Sequence, residues 1–177
     1  MPVSTIQNAS LASGVPSAAK LPAGSVLQVV QTVKSDTFST TSTLTYVDVT
    51  GVSVSITPTS STSKVLVTVT LSGSGNAAAS AMLVRLMRNS TPIYLGDSAG
   101  SRIQATTSSM VSDNNVAEAI AFTFLDSPAT TSATTYKVQI CSSYGSNITV
   151  INRSITDVDA SDRARTASSI TAMEIAA

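Results

Sequence analysis

"VSVSITPTSSTSKVLVTVTL", residues 52–71, decides how the chain folds. Val52, Val54 and Ile56 alternate with Ser53 and Ser55, which is the two-residue period of a half-buried strand, not the 3.6 of a helix. The loop "TPTSSTS" follows. Beyond it Val65, Val67, Val69 and Leu71 take one face, with Leu66, Thr68 and Thr70 on the other. Two alternating strands joined by a polar loop define a β protein.

The same period extends outward in both directions. "SVLQVVQTVK" (25–34) is apolar on both faces, as in a strand covered on two sides. "TLTYVDV" (43–49) meets Val52 through Thr50-Gly51, and the glycine, free to take positive φ, predicts a hairpin there. "AMLVRLMRNSTPIYLG" (81–96) predicts a second hairpin, with its turn at Asn89-Ser90. "VAEAIAFTFL" (116–125) is helical by propensity, yet Val116, Ile120, Phe122 and Phe124 share one strand face and Ala117, Ala119 and Ala121 the other. "TTYKVQI", "NITVIN" and "SSITAMEIA" complete the set, and residues 97–113 form the longest loop. The expectation is an all-β fold, an antiparallel β-sandwich or jelly roll of about ten strands. Residues 1–24, rich in Ala, Ser, Gly and Pro, are expected to form an extended N-terminal segment, with the folded domain over 25–177.

Composition narrows the functions available. Charged residues are 11% of the 177, against a usual ~25%, and Ser with Thr fills roughly a third. Ten basic and ten acidic residues cancel, so no basic surface is present to bind a phosphate backbone, and nucleic acid is not an expected partner. No apolar run approaches the ~20 residues of a membrane-spanning helix. The N-terminus lacks the charged start and apolar stretch of a secretory signal, which implies synthesis in a cytoplasm. The absence of histidine removes the commonest general base and metal ligand, together with every Ser-His and Cys-His nucleophile pair. The lone Cys141 is expected to be an inert, buried strand residue. With aromatics at 4% and no tryptophan, a glycan-cleaving cleft between paired carboxylates is disfavoured. No enzyme activity, cofactor or metal site is expected.

Two groups of charges stand out in so neutral a chain. Arg153, Asp157, Asp159, Asp162, Arg163 and Arg165 crowd the loop before the last strand. "DVDASD" has alternating acids of the kind calcium uses, but lacks the Gly and distal Glu of the EF-hand loop. These residues, with Arg102 of the long loop, are candidates for receptor or subunit contact, or for a solvated turn with its charges balanced. Arg85, Glu118 and Glu174 each interrupt an apolar strand, where an unpaired buried charge would be costly. Each is expected to face water on the outer sheet, or to pair across strands or across subunits. They are the oligomer-interface candidates, and strands apolar on both faces also suit a homo-oligomer. The N-x-S/T triplets at Asn8, Asn89, Asn147 and Asn152 follow from Ser/Thr richness and carry no glycosylation claim.

Three blocks in order, "LPAGSVLQVVQTVKSDTFSTTSTLTYVDVTGVSVSITPTSSTSKVLVTV", "LMRNSTPIYLGDSAGSR" and "INRSITDVDASDRARTASSITAMEIA", resemble small tail-fibre-like virion proteins of phages of marine and freshwater bacteria. The resemblance runs from about Leu21 onward. It implies a trimeric head similar to the tumour-necrosis-factor-like jelly roll, with the terminal strand inside a sheet near the trimer axis. It further implies residence in the virion, attachment to a phage tail or baseplate protein through residues 1–24, and a host surface glycan or protein as the distal partner. No shaft, collagen-like repeat or heptad precedes the head, so a stubby spike or a capsid decoration protein is the alternative.

Overall fold

The computed structural model of the chain describes residues 21–76, 80–110, 113–145 and 147–177. The expected attachment arm therefore lies, up to residue 20, outside the described residues. The strands in chain order are β1 (Val26–Lys34), β2 (Phe38–Thr40), β3 (Val47–Ile56), β4 (Lys64–Gly75), β5 (Met82–Arg88), β6 (Thr91–Ile93), β7 (Thr107–Ser109), β8 (Glu118–Asp126), β9 (Thr134–Ser142), β10 (Thr149–Ile151) and β11 (Ser168–Ile175). Two antiparallel sheets result. The six-stranded sheet runs β1-β11-β4-β10-β2, with β8 on the other edge of β4. The five-stranded sheet runs β3-β9-β5-β6, with β7 also on β5. The chain changes sheet between β2 and β3, β3 and β4, β4 and β5, β7 and β8, β8 and β9, and β9 and β10, so the two sheets form an antiparallel β-sandwich.

The core follows from the alternation. Val65, Val67, Val69 and Leu71 of β4 point inward with Ile170 and Ala172 of β11, and meet Val52, Val54, Tyr136, Val138, Val84 and Leu86 of the opposite sheet. Each fully buried aliphatic side chain contributes on the order of 1.5–3 kcal/mol relative to exposure. The Asn89-Ser90 turn is a two-residue hairpin joining Arg88 to its partner Thr91, and Asn89 takes the positive φ that such turns require. Within the loop predicted over 97–113, Thr107–Ser109 pairs with β5 as β7.

Thr50-Gly51 is not a hairpin. β3 runs straight through it, and Val49, Thr50, Gly51 and Val52 together stand opposite Val138 alone in the pairing with β9. The bulge explains a change of parity in the sequence. Val49 is buried at an odd position, whereas Val52, Val54 and Ile56 are buried at even ones, and only inserted residues can keep both sets on the core face. Gly51 sits at φ +86°, so a bulge and a tight turn make the same demand on this residue. A Cβ there would meet the buried Lys34 side chain at ordinary contact distance, leaving backbone strain as the main penalty. Gly51→Ala is therefore expected to lower stability by about 1–2 kcal/mol, read as a lower urea midpoint at unchanged slope.

At the far end of β4 a second glycine is fixed by space. A Cβ on Gly73 would stand 2.6 Å from the Val150 carbonyl oxygen, so β10 can approach β4 there only because the side chain is absent. β11 ends the sheet register with Ile175 opposite Lys64, and the Gly24 N–H donates to the Ala176 carbonyl.

Candidate interaction surfaces

The loop between β10 and β11 carries the charged run, and its two ends are tied together by Asn152. This residue is fully buried at φ +62°, a left-handed conformation that asparagine tolerates. Its amide donates to the carbonyls of Lys34 and Asp36 at 2.8 Å each, its Oδ1 accepts from the Ser168 hydroxyl at 2.6 Å, and its carbonyl accepts from the Thr166 N–H. The Asn152 triplet is thus spent on structure.

Beyond Asn152 the charges neutralise one another. Asp157 bridges Arg153 at 3.7 Å and Arg165 at 2.7 Å, and Arg163 pairs with its neighbour Asp162. Arg153 also donates to the carbonyls of Ser154 and Ile155. Six of the sequence candidates thus share this loop, five of them joined in ion pairs within the chain, with Asp159 exposed beside them. Arg102 is exposed on the loop after β6, and no ion pair joins it to the others among the described residues.

A second loop meets the charged one. The Thr156 N–H donates to the Asn114 carbonyl at 2.9 Å, bringing the segment before β8 alongside. Between the two opens a cleft of about 190 Å³, with Asn115, Ser154, Asp162 and Thr166 as polar wall and Val116 and Ala164 as apolar wall. The hydroxyl of Thr166, one of the lining residues, is buried without a hydrogen-bond partner, as is the Nε of Arg163 in the same loop.

The three strand-interrupting charges have separate fates. Arg85 lies on the outer face of the five-stranded sheet. Its guanidinium donates to Gln139 Oε1 at 2.6 and 3.1 Å and stands 4.1 Å from the Tyr46 ring centroid. Gln139 and Lys137 in turn hold Asp48, each at 2.7 Å. Burial alone would raise the Asp48 pKa; the donors Lys137 and Gln139 outweigh it and hold the carboxyl below its ordinary value. Burial pushes the Tyr46 phenol up to about 12. It also raises the Cys141 thiol, which lies fully buried.

Glu118 and Glu174 do not face water on the outer sheet. Both share the parity of core residues, Ile120 and Ala172 respectively, at the ends of the sandwich. Glu118 accepts from the Ser109 hydroxyl at 2.5 Å. Glu174 is 0% exposed and accepts from Gln28 Nε2 at 2.6 Å and from the Thr59 N–H and hydroxyl at 2.7 Å each. Its partners are all within the chain, and it presents no surface to a neighbour.

The outer face of the six-stranded sheet is of another kind. Three rows cross β1, β11, β4 and β8 in register: Val29, Met173, Leu66 and Leu125; then Gln31, Thr171, Thr68 and Thr123; then Val33, Ser169, Thr70 and Ala121. None of these side chains is charged. Val29 is 55% exposed and Leu125 48%, large values for aliphatic residues in strands. The middle row is laced by hydrogen bonds from Gln31 to Thr171 and between Thr68 and Thr123. Four strands at ~4.8 Å spacing and about five residues in length give a footprint on the order of 300 Å², at the lower end of the largest patches monomers expose, which are often functional.

Sequence reading missed two features of this end of the molecule. The aromatics are few, yet Tyr94 at φ +55° stacks on Phe124 with centroids 4.9 Å apart, and Phe122 lies 6.3 Å away. The i, i+2 spacing of Phe122 and Phe124 was the available signal for two of the three. The uncharged rows had no such signal, because they depend on the register of strands far apart in the chain. No protein-family model matches the chain, and no curated protein matches it.

Proposed function

We propose that this chain is a non-enzymatic structural protein of a phage virion: a short trimeric tail fibre, attached by its N-terminal segment, whose β head adsorbs to the host surface. The observation that carries the self-association is the three uncharged rows on the outer face of β1, β11, β4 and β8, with Lys64 at their margin. Exposed Val29, Val33 and Leu125 gain from burial, and copies of the chain can cover the three rows without desolvating an ion. The two-sheet sandwich, with β11 inside one sheet, supports this reading, since the resemblance implies a β head with its terminal strand inside a sheet. Three heads on one tail would then give avidity to a weak contact with a surface glycan or protein.

The association is hydrophobic, so it is insensitive to salt. Sedimentation of the purified protein at micromolar concentration is expected to give about three times the 18.0 kDa chain mass, unchanged between ~0.05 and ~1 M salt. Leu66→Glu, placing a charge in the middle of the face, is expected to leave a folded monomer. A wild-type monomer would overturn the proposal, and an oligomer that dissociates in salt would move the interface to the Arg-carboxylate loop. On particles, antibody label is expected at the tail tip. Label on the capsid faces would instead make the same oligomer a decoration protein.

A further inference from the structure

We infer that the cleft between the segment 115–117 and the charged loop is a binding site for one neutral sugar ring, and hence the contact through which the head recognises a surface glycan. The inference rests on the host-binding reading above and names the site and the ligand class. At about 190 Å³ the cleft is below the ~300 Å³ of pockets that take drug-sized ligands, so it fits a single ring and excludes a folded peptide segment.

Its walls match a sugar in kind. Asp162 offers carboxylate oxygens to vicinal hydroxyls, and its charge is already balanced by Arg163, so a neutral ligand is preferred to an acidic one. Ser154 spends its hydroxyl proton on the Thr156 carbonyl at 2.8 Å and keeps its oxygen as an acceptor. Val116, 45% exposed at the edge, and Ala164 supply an apolar patch for the C–H face of a ring. The telling atom is the Thr166 hydroxyl, which belongs to a residue of the cleft wall and is itself buried with no partner. Buried polar groups are almost always paired, and those that are not call for an explanation. A ligand hydroxyl supplies one, met by rotation of Thr166 about χ1. The site is also held in place: the Thr166 N–H is fixed on Asn152, and the opposite wall by the Thr156–Asn114 bond.

The test is saturation-transfer NMR on the intact oligomer with glucose, galactose, mannose and N-acetylglucosamine in turn, and glucuronate as the acidic control. At least one neutral sugar is expected to show transfer, with glucuronate weaker. Thr166→Val, which keeps shape and removes only an unpartnered hydroxyl, is expected to fold normally and to weaken that binding at least fivefold. Asp162→Asn is expected to weaken it too, at unchanged melting temperature. Transfer from none of the four sugars, or transfer undiminished in both variants, would overturn the inference. Sedimentation of the same samples reads the oligomer independently, so a trimer that binds no sugar leaves the structural role standing while the site falls.

Discussion

Replacing Glu174 by alanine is expected to lower the free energy of unfolding by about 2–3 kcal/mol, a large part of the ~5–15 kcal/mol that holds a domain together. The carboxylate has no exposed surface and gathers donors from β1 and from the loop between β3 and β4. Truncation removes three hydrogen bonds to a charged group, while the Gln28 amide keeps the Thr57 carbonyl and exposed Thr59 can turn to water, so the loss is that of charge-assisted bonds, about 1.5–3 kcal/mol. The pH dependence follows from the same donors. Burial would raise the Glu174 pKa, but the bonds from Gln28, Thr59 and Ser63 outweigh it and hold the group below its ordinary 4.5. A depressed folded pKa gives stability that is complete above the unfolded value and lost as pH falls through the folded one. The gap between wild type and Glu174→Ala in urea midpoint should therefore be full at pH 7 and shrink below about pH 4. A gap that stays constant on acidification would mean that the loss comes from packing alone.

Asp126→Ala is expected to cost about 3–5 kcal/mol, the range found when one partner of a buried ion pair is removed. Asp126 ends β8 in one sheet and holds two residues of the other: Arg88 Nη1 at 2.9 and 3.0 Å, and the Tyr136 hydroxyl at 2.7 Å. Burial first, and the neighbouring carboxylate second, raise the Tyr136 phenol far above its usual value and keep it a donor. This clasp is a polar bridge between the two sheets. In a Tyr136→Phe background the same change should cost at least ~1 kcal/mol less, because one of the groups it orphans is already gone. Thermal unfolding at one protein concentration checks both, since coupled dissociation would otherwise shift the midpoints.

The core of β4 was legible because strand parity is local: Val65, Val67, Val69 and Leu71 can face only one way. The bulge at Thr50-Gly51 was misjudged as a hairpin because both structures need a glycine of positive φ. The shift from odd to even buried positions across it was the clue that separates them. Glu174 was flagged as a costly charge, and so it would be without partners. Those partners lie 115 residues away, in a loop that reads as mere Ser/Thr spacer, and 146 residues away, in β1. The charged run announced its own pairing, since Arg153, Asp157 and Arg165 are close in the chain. The uncharged rows and the cleft did not, because register and loop docking bring together residues that composition cannot relate.

The placement of β11 between β1 and β4 has a consequence for biosynthesis. β1 emerges from the ribosome early, yet its ladder partner is Ser168–Ile175, nearly the full chain later. β4 likewise waits for that strand along one edge while it pairs with β8 along the other. Until then Val29 and Val33 belong to an open, unpaired strand of the kind that invites aggregation. Nascent chains stalled before residue 168 should therefore be protease-sensitive and chaperone-bound, and the sheet should close in one late, slow step, as expected of so non-local a topology. Any frameshift upstream of Ser168 would remove the strand that closes the sheet, so a mistranslated copy would be unable to enter an assembly.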